Sequence, residues 1–177
     1  MNIKTLLSRI QKTSHTFDVT GLSLNTQSLQ KGDIFVAIQG TQKHGSEFVQ
    51  NAIDKGCIAI LVEDRDIQCS VPSIRIDNLS SYLSDLAQTF YQEAQNIKLI
   101  GVTGTNGKTS VSLFISQLLE ALNVRTGVIG TLGISHSDNN TSNTTPDIFT
   151  IYKSLQEYSK KGIEVAVIEA SSHALTQ

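Results

Sequence analysis

The sequence predicts an α/β protein with two small domains, the second built on a parallel sheet. Three observations carry this. Short apolar runs alternate with segments of helical periodicity along most of the 177 residues. A glycine-bearing turn, Gly104 to Gly107, joins an apolar run to an amphipathic one. A polar stretch, Glu93-Ala94-Gln95-Asn96, separates the two halves. The expected domains are residues 1–95 and 96–177, a division that the length permits.

In the first half, residues 19–24 read as a weak strand. Residues 33–39 (DIFVAIQ) read as a strong one, entered at Lys31-Gly32 and ended by Gly40. Residues 46–55 suit a helix capped by Ser46, with Phe48, Ala52 and Ile53 on one face and Gly56 ending it. Residues 58–62 form a buried strand and 72–76 a fourth. Residues 78–94 suit a helix capped by Asn78, with Leu79, Leu83, Leu86, Phe90 and Tyr91 on one side.

The second half repeats a βα pattern. Residues 98–103 (KLIGVT) form a strand, 104–108 a turn, and 109–122 a helix whose apolar stripe is Val111, Ile115, Leu118, Leu119 and Leu122. Residues 125–129 form a strand, 130–146 a long polar loop, 147–161 a helix closed by Gly162, and 164–169 (EVAVIE) a strand. Near-continuous apolar strands between helices imply a parallel sheet covered on both faces. Three strands make a small sheet with an exposed edge, and the chain runs only eight residues past Glu169. The reading therefore expects the front portion of a longer protein.

Composition excludes several classes. Fourteen Lys+Arg against sixteen Asp+Glu give no basic nucleic-acid footprint and no polybasic membrane surface. The longest apolar run, residues 57–62, is far short of the roughly 20 a membrane span needs. Residues 1–20 carry Lys4, Arg9 and Lys12 without an apolar core, so no secretory signal is expected. Two cysteines make no disulfide framework, and Cys57, opening an apolar strand, reads as a reduced buried thiol. The expected setting is cytoplasmic.

The chemistry concentrates at Thr103-Gly104-Thr105-Asn106-Gly107-Lys108-Thr109-Ser110. Backbone N–H groups of such a turn and the following helix N-terminus suit phosphate. Lys108 can reach the β/γ-phosphates, and the Thr109 hydroxyl can ligate Mg²⁺. The general pattern G-x-x-x-x-G-K-[ST] is not met, because Val102 stands where its first glycine belongs. The same residues also suit a plain glycine turn that starts a helix. Glu169 ends an apolar strand, and ligands of parallel sheets bind beyond the strands' carboxyl ends. It suits a Mg²⁺ partner of Thr109, or a surface carboxylate. His173 suits a substrate contact or plain exposure. Asn143-Thr144-Thr145-Pro146 suits either a polar substrate or an ordinary helix start.

The segment Thr103-Gly104-Thr105-Asn106-Gly107-Lys108-Thr109 resembles the ATP loop of the Mur ligases, which build the peptidoglycan peptide, and this form accounts for Val102. Asn143-Thr144-Thr145-Pro146 and Glu169-Ala170-Ser171-Ser172-His173-Ala174-Leu175 are similar to segments of the member that adds the third amino acid. Leu24 to Ser28, Lys31 to Ala37, Gly40 and Gly45 agree. The resemblance implies a small UDP-substrate domain followed by the start of a P-loop-type ATP-binding domain. It implies an ATP- and Mg²⁺-dependent amide ligase, acting as a monomer. That ligase joins diaminopimelate or lysine to UDP-N-acetylmuramoyl-L-alanyl-D-glutamate through an acyl phosphate. ATP would be held by Gly104, Thr105, Asn106, Gly107, Lys108, Thr109 and Ser110, with Lys108 and Glu169 catalytic and Thr109 and Glu169 on Mg²⁺. Substrate contacts would come from Leu24, Thr26, Thr41, Gln42, Lys43, Asn143, Thr144, Thr145, Ser171 and Gln177. Many relatives carry Asp-Ser-Arg where this chain has Asn25-Thr26-Gln27.

Other readings compete. A folylpolyglutamate synthetase has a related loop but usually begins near it, against the 95 residues in front here. A nucleotide-binding regulatory module of the guanine-selecting kind needs Asn-Lys-x-Asp, which does not occur. A non-catalytic UDP-sugar-binding module is a further alternative.

Overall fold

The structure is a computed structural model that describes residues 1–136 and 145–171. The chain divides into two compact units, Met1–Phe90 and Tyr91–Gln177. The reading from sequence put the join at 95/96. The 3-10 turn Gln92–Asn96 packs on the helix Ile148–Lys160 of the second unit.

The first unit contains α1 (Ile3–Leu6), β1 (Leu22–Ser23), β2 (Ile34–Ala37), α2 (Val49–Asp54), β3 (Ala59–Glu63), β4 (Ser73–Ile76) and α3 (Leu83–Phe90). Its sheet is parallel throughout, in the order β1-β2-β3-β4. Every residue of β2 and β3 is buried, as expected of parallel strands covered on both faces. Leu29, Phe35, Ala37, Val49, Ala52, Ile60 and Val62 form one cluster with Cys57. Burying each large side chain of this set is worth about 1.5–3 kcal/mol.

The helix expected over residues 78–94 is interrupted. Asn78 is left-handed (φ 53°) and makes no side-chain cap. The donors there are taken by carboxylates at the end of β3: Asn78 N donates to Asp64 Oδ1 at 2.8 Å and Ser80 N to Glu63 Oε1 at 2.8 Å. A 3-10 turn, Leu79–Tyr82, therefore precedes α3, and buried Tyr91 leaves the helix before the next turn. Ser46 is likewise not a cap. The buried His44 Nδ1 accepts from Ser46 N at 3.0 Å and so caps the 3-10 turn Gly45–Phe48 ahead of α2.

The second unit contains β5 (Lys98–Val102), α4 (Lys108–Ala121), β6 (Thr126–Gly130), β7 (Gly133–Ile134), α5 (Ile148–Lys160) and β8 (Val165–Glu169). The sheet order is β5-β8-β6-β7. The strands β5, β8 and β6 are parallel, and β7 returns antiparallel to β6. That hairpin replaces the start of the expected loop 130–146, because β7 is only two residues long and carries no strand-length apolar run. Asp147 caps α5, accepting from Phe149 N at 3.0 Å and Thr150 N at 3.1 Å, an arrangement worth about 1 kcal/mol.

The stripe expected to bury α4 does so only in part: Ile115 and Leu119 are half-buried, while Val111, Leu118 and Leu122 are exposed, as is Phe114 outside the stripe. The helix lies over β6 and β8, and its buried residues are Ser112 and Ser116. Small side chains let a helix come close to a sheet, so the contact centres on the serines, with Ile115 and Leu119 beside them, and only one side of the expected stripe is covered.

Candidate functional site

Strand β8 lies between β5 and β6, so its last residue, Glu169, ends beside both neighbours. The turn after β5 leads into α4, whose first turn sits at the same end of the sheet. This is the carboxyl end, where parallel sheets bind ligands.

The loop is shaped for an anion. Gly104 (φ 146°) and Gly107 (φ 78°) take backbone conformations that disfavour side chains. Gly107 stands at the N-cap of α4, and no side chain caps this helix. The first N–H groups of a helix lack internal partners, and here the chain supplies none from a cap. Thr105, Asn106 and Ser110 are exposed around it. Lys108 arches back across the loop, its Nζ donating to Gly104 O at 2.8 Å.

Glu169 is 1% exposed. Its Oε2 accepts from Thr109 Oγ1 and from Thr131 Oγ1, each at 3.0 Å, and its Oε1 accepts from Thr131 N at 3.3 Å. Among the described residues no cationic side chain lies within ion-pair distance of it. A buried carboxylate without a counter-charge is costly. The residues therefore fit a hard divalent cation, with Thr109 and Glu169 as oxygen ligands. No group of three His, Cys, Asp or Glu side chains suited to a metal occurs among the described residues. One carboxylate and one hydroxyl match the way Mg²⁺ is usually held with phosphates and waters.

Thr145 is tied to the same strand end. Its Oγ1 donates to Glu169 O at 2.8 Å and accepts from Ser171 N at 3.1 Å. Thr145 and Ser171 are thus brought together beside the cation ligands. Asn143, Thr144, His173 and Gln177 lie outside the described residues.

In the first unit, Leu24 and Thr26 lie on the loop after β1, and Thr41, Gln42 and Lys43 on the turn after β2. These strands are parallel neighbours, so both loops fall at one edge of the sheet. Asn25 organises the first loop, with its Oδ1 accepting from Gln27 N at 2.8 Å and its O accepting from Ser28 N at 3.2 Å. Asparagine does this as well as aspartate would. Gly40 N donates to Lys43 O at 3.0 Å, which closes the second turn and leaves Thr41, Gln42 and Lys43 exposed.

Sequence reasoning missed Gly130 and Thr131. The signal was a Gly-Thr pair directly after a strand. A pocket lined by Glu120, Asn123, Arg125, Thr126 and His136 opens near the start of β6, the far end of that strand from Gly130, and holds none of these residues.

The fold and the loop define a P-loop α/β protein carrying a second small parallel-sheet unit. Residues 102–177 match the family described as Mur ligase middle domain, and residues 18–91 match Mur ligase family, catalytic domain. The chain belongs to the Mur ligase family. It is 37% identical over 166 residues to the UDP-N-acetylmuramoyl-L-alanyl-D-glutamate--2,6-diaminopimelate ligase of Coxiella burnetii, covering 90% of this chain and 34% of that protein. It is 38% identical over 163 residues to the protein of the same name from Pseudomonas putida, covering 88% and 33%. A solved structure of a UDP-N-acetylmuramoyl-L-alanyl-D-glutamate--2,6-diaminopimelate ligase superposes on 99% of this chain and 37% of its own, with a TM-score of 0.77 and 27% identity. The MurF ligase of Thermotoga maritima in complex with ADP does so over 87% and 32%, with a TM-score of 0.55 and 26% identity. The chain spans about a third of the length of the curated relatives it matches.

Proposed function

We propose that the chain supplies the nucleotide site and the uridine-end substrate site of an ATP-dependent amide ligase. That enzyme adds diaminopimelate to UDP-N-acetylmuramoyl-L-alanyl-D-glutamate, a step of peptidoglycan and cell-wall synthesis. The observation that carries the reading is the contact of Thr109 with buried Glu169 beside the loop Gly104 to Lys108. The diaminopimelate ligases at 37% and 38% identity support that amino acid over lysine. The reaction is assigned to the cytoplasm and to a monomer, and no described helix is long and apolar enough to cross a membrane.

Each residue has a role in this reading. The loop amides and Ser110 hold the phosphates of ATP, and Lys108 exchanges its Gly104 carbonyl for a phosphate oxygen. Thr109 and Glu169 hold Mg²⁺. When bound, Mg²⁺ neutralises charge on the transferring phosphoryl group. Thr145 and Ser171, with Asn143, Thr144 and Gln177, would contact the muramoyl part of the substrate. Leu24, Thr26, Thr41, Gln42 and Lys43 hold the uridine nucleotide, within a domain of residues 1–95 preceding the ATP-binding residues 96–177.

The test is phosphate release by the protein as its gene encodes it, with ATP, Mg²⁺, the UDP-dipeptide and either diaminopimelate or lysine. Turnover is expected with diaminopimelate. Lys108→Ala is expected to lower it by at least roughly 100-fold, as for loss of a positioned transition-state charge. Unchanged turnover in that variant, or turnover with neither amino acid, refutes the reading.

A further inference from the structure

We infer that Gly130 and Thr131, at the turn between β6 and β7, form a dedicated seat for the Glu169 carboxylate. On this inference Thr131 is the positioning residue that prepares the cation site. The inference rests on the proposed nucleotide and Mg²⁺ site.

Strand register starts the argument. Ile129 of β6 pairs with Ile168 of β8, so Gly130 comes level with Glu169. A side chain at 130 would collide with that carboxylate. An ideal Cβ there would lie 2.6 Å from Glu169 Cγ and closer still to the carboxylate carbon and Oε1. The Glu169 side chain therefore lies across the end of β6, over a backbone that carries nothing. Gly130 has no positive φ, so close approach, not backbone conformation, demands glycine.

The next residue fastens the carboxylate. Thr131 donates twice, from N to Oε1 at 3.3 Å and from Oγ1 to Oε2 at 3.0 Å. One residue thus engages both oxygens and fixes the plane of the group. Thr109 approaches Oε2 from the first turn of α4. These two hydroxyl donors have different tasks. Thr109 Oγ1 would ligate the cation through a lone pair while its O–H stays free to donate to Glu169. Thr131 has only the carboxylate to hold. Thr131 is exposed and packs no core, so its side chain has no competing structural task. Without its hydroxyl, Oε2 would keep a single donor, Thr109, the group that must also meet the metal. The carboxylate would then have to be oriented at the moment of binding.

The test compares Thr131→Val, which keeps shape and the backbone N–H, with Thr131→Ser, which keeps the hydroxyl. Mn²⁺ binding in the presence of ADP is followed by electron paramagnetic resonance, and ADP binding without metal by calorimetry. Thr131→Val is expected to weaken Mn²⁺ binding roughly tenfold, as for loss of one hydrogen bond to a charged group. Metal-free ADP binding should stay within twofold, and Thr131→Ser should restore the metal affinity. Thr131→Ala serves as a second variant should valine disturb the turn, with the same result expected. Wild-type Mn²⁺ affinity in both Thr131→Val and Thr131→Ala overturns the inference and leaves the proposed function standing. Equal loss of metal-free ADP binding also overturns it, since the effect is then on the fold. Absence of metal-dependent ADP binding in the wild-type protein overturns the proposed nucleotide site, and this inference with it.

Discussion

Glu63 gives the sharpest test of how the first unit is held. It ends β3, is 6% exposed, and accepts from Gln39 N at 3.1 Å and Ser80 N at 2.8 Å. Burial alone would push its carboxyl up, but the Ser80 and Gln39 hydrogen bonds, with His44 nearby, take it below the ordinary carboxylate value. Glu63→Ala leaves two N–H donors without their acceptor. A stranded donor costs about 1–3 kcal/mol. Gln39 and Ser80 are exposed residues, so water recovers part of this, which sets the loss near the lower bound, about 2 kcal/mol for the pair. Amide exchange at Gln39 and at Ser80 should therefore each quicken by roughly fivefold, the factor matching about 1 kcal/mol apiece. The pH dependence follows from the lowered pKa. The carboxylate's contribution is complete above its unfolded value of 4.5 and is lost as pH falls through the lower folded value. Glu63→Gln should abolish that acid-side loss. Unchanged exchange at both amides in Glu63→Ala would show that Glu63 is not their anchor.

Three further outcomes are expected. His44 is held below 6.5 by burial and by Arg65, so the folded state resists its protonation, and stability should fall as pH drops below 6.5 toward the folded value; His44→Asn should flatten that part of the urea-denaturation profile, and an unchanged slope would exclude His44 as its source. Gly127→Ala would place a Cβ 2.5 Å from Tyr158 Cζ and should cost roughly 1–3 kcal/mol by overpacking, seen as a lower midpoint in urea. Burial pushes the Cys57 thiol up to about 11, so a disulfide reagent at pH 8 should label half-buried Cys69 first and Cys57 only on unfolding; equal rates would contradict this.

Strands β2, β3, β6 and β8 were legible because apolar runs with polar ends have few alternatives once buried, while β5 kept the same pattern with Lys98, Leu99 and Gly101 exposed. Glu63 and Glu169 show where legibility stops. Both end apolar runs, AILVE and VAVIE, and both are buried. Their surroundings differ only in the fold. Glu63 receives backbone N–H groups from Gln39 and Ser80, while Glu169 receives the hydroxyls of Thr109 and Thr131 beside the glycine loop. The loop itself was readable from its glycines, Lys108 and Thr109 set between a strand and a helix. Thr131 was not, since a Gly-Thr pair at a strand's end is too common a signal to name the neighbour it touches. The serines of α4 were passed over for a related reason, because apolar content was taken as the measure of burial, and it found Ile115 and Leu119 but not Ser112 and Ser116 beside them.

The two serines under α4 make the height of the phosphate loop a mechanical quantity. Ser112 is fully buried, one turn into the helix from Lys108, and its Oγ has no hydrogen-bond partner among the described residues. Its value there lies in its size. Ser112→Ala would retain the close approach and remove a stranded hydroxyl, a route to a sturdier protein without touching the site. Ser112→Leu would act as a wedge, lifting the start of α4 and carrying Lys108 and Thr109 away from Glu169. Laboratory evolution of this chain should accordingly accept alanine at 112 and 116 and purge larger residues.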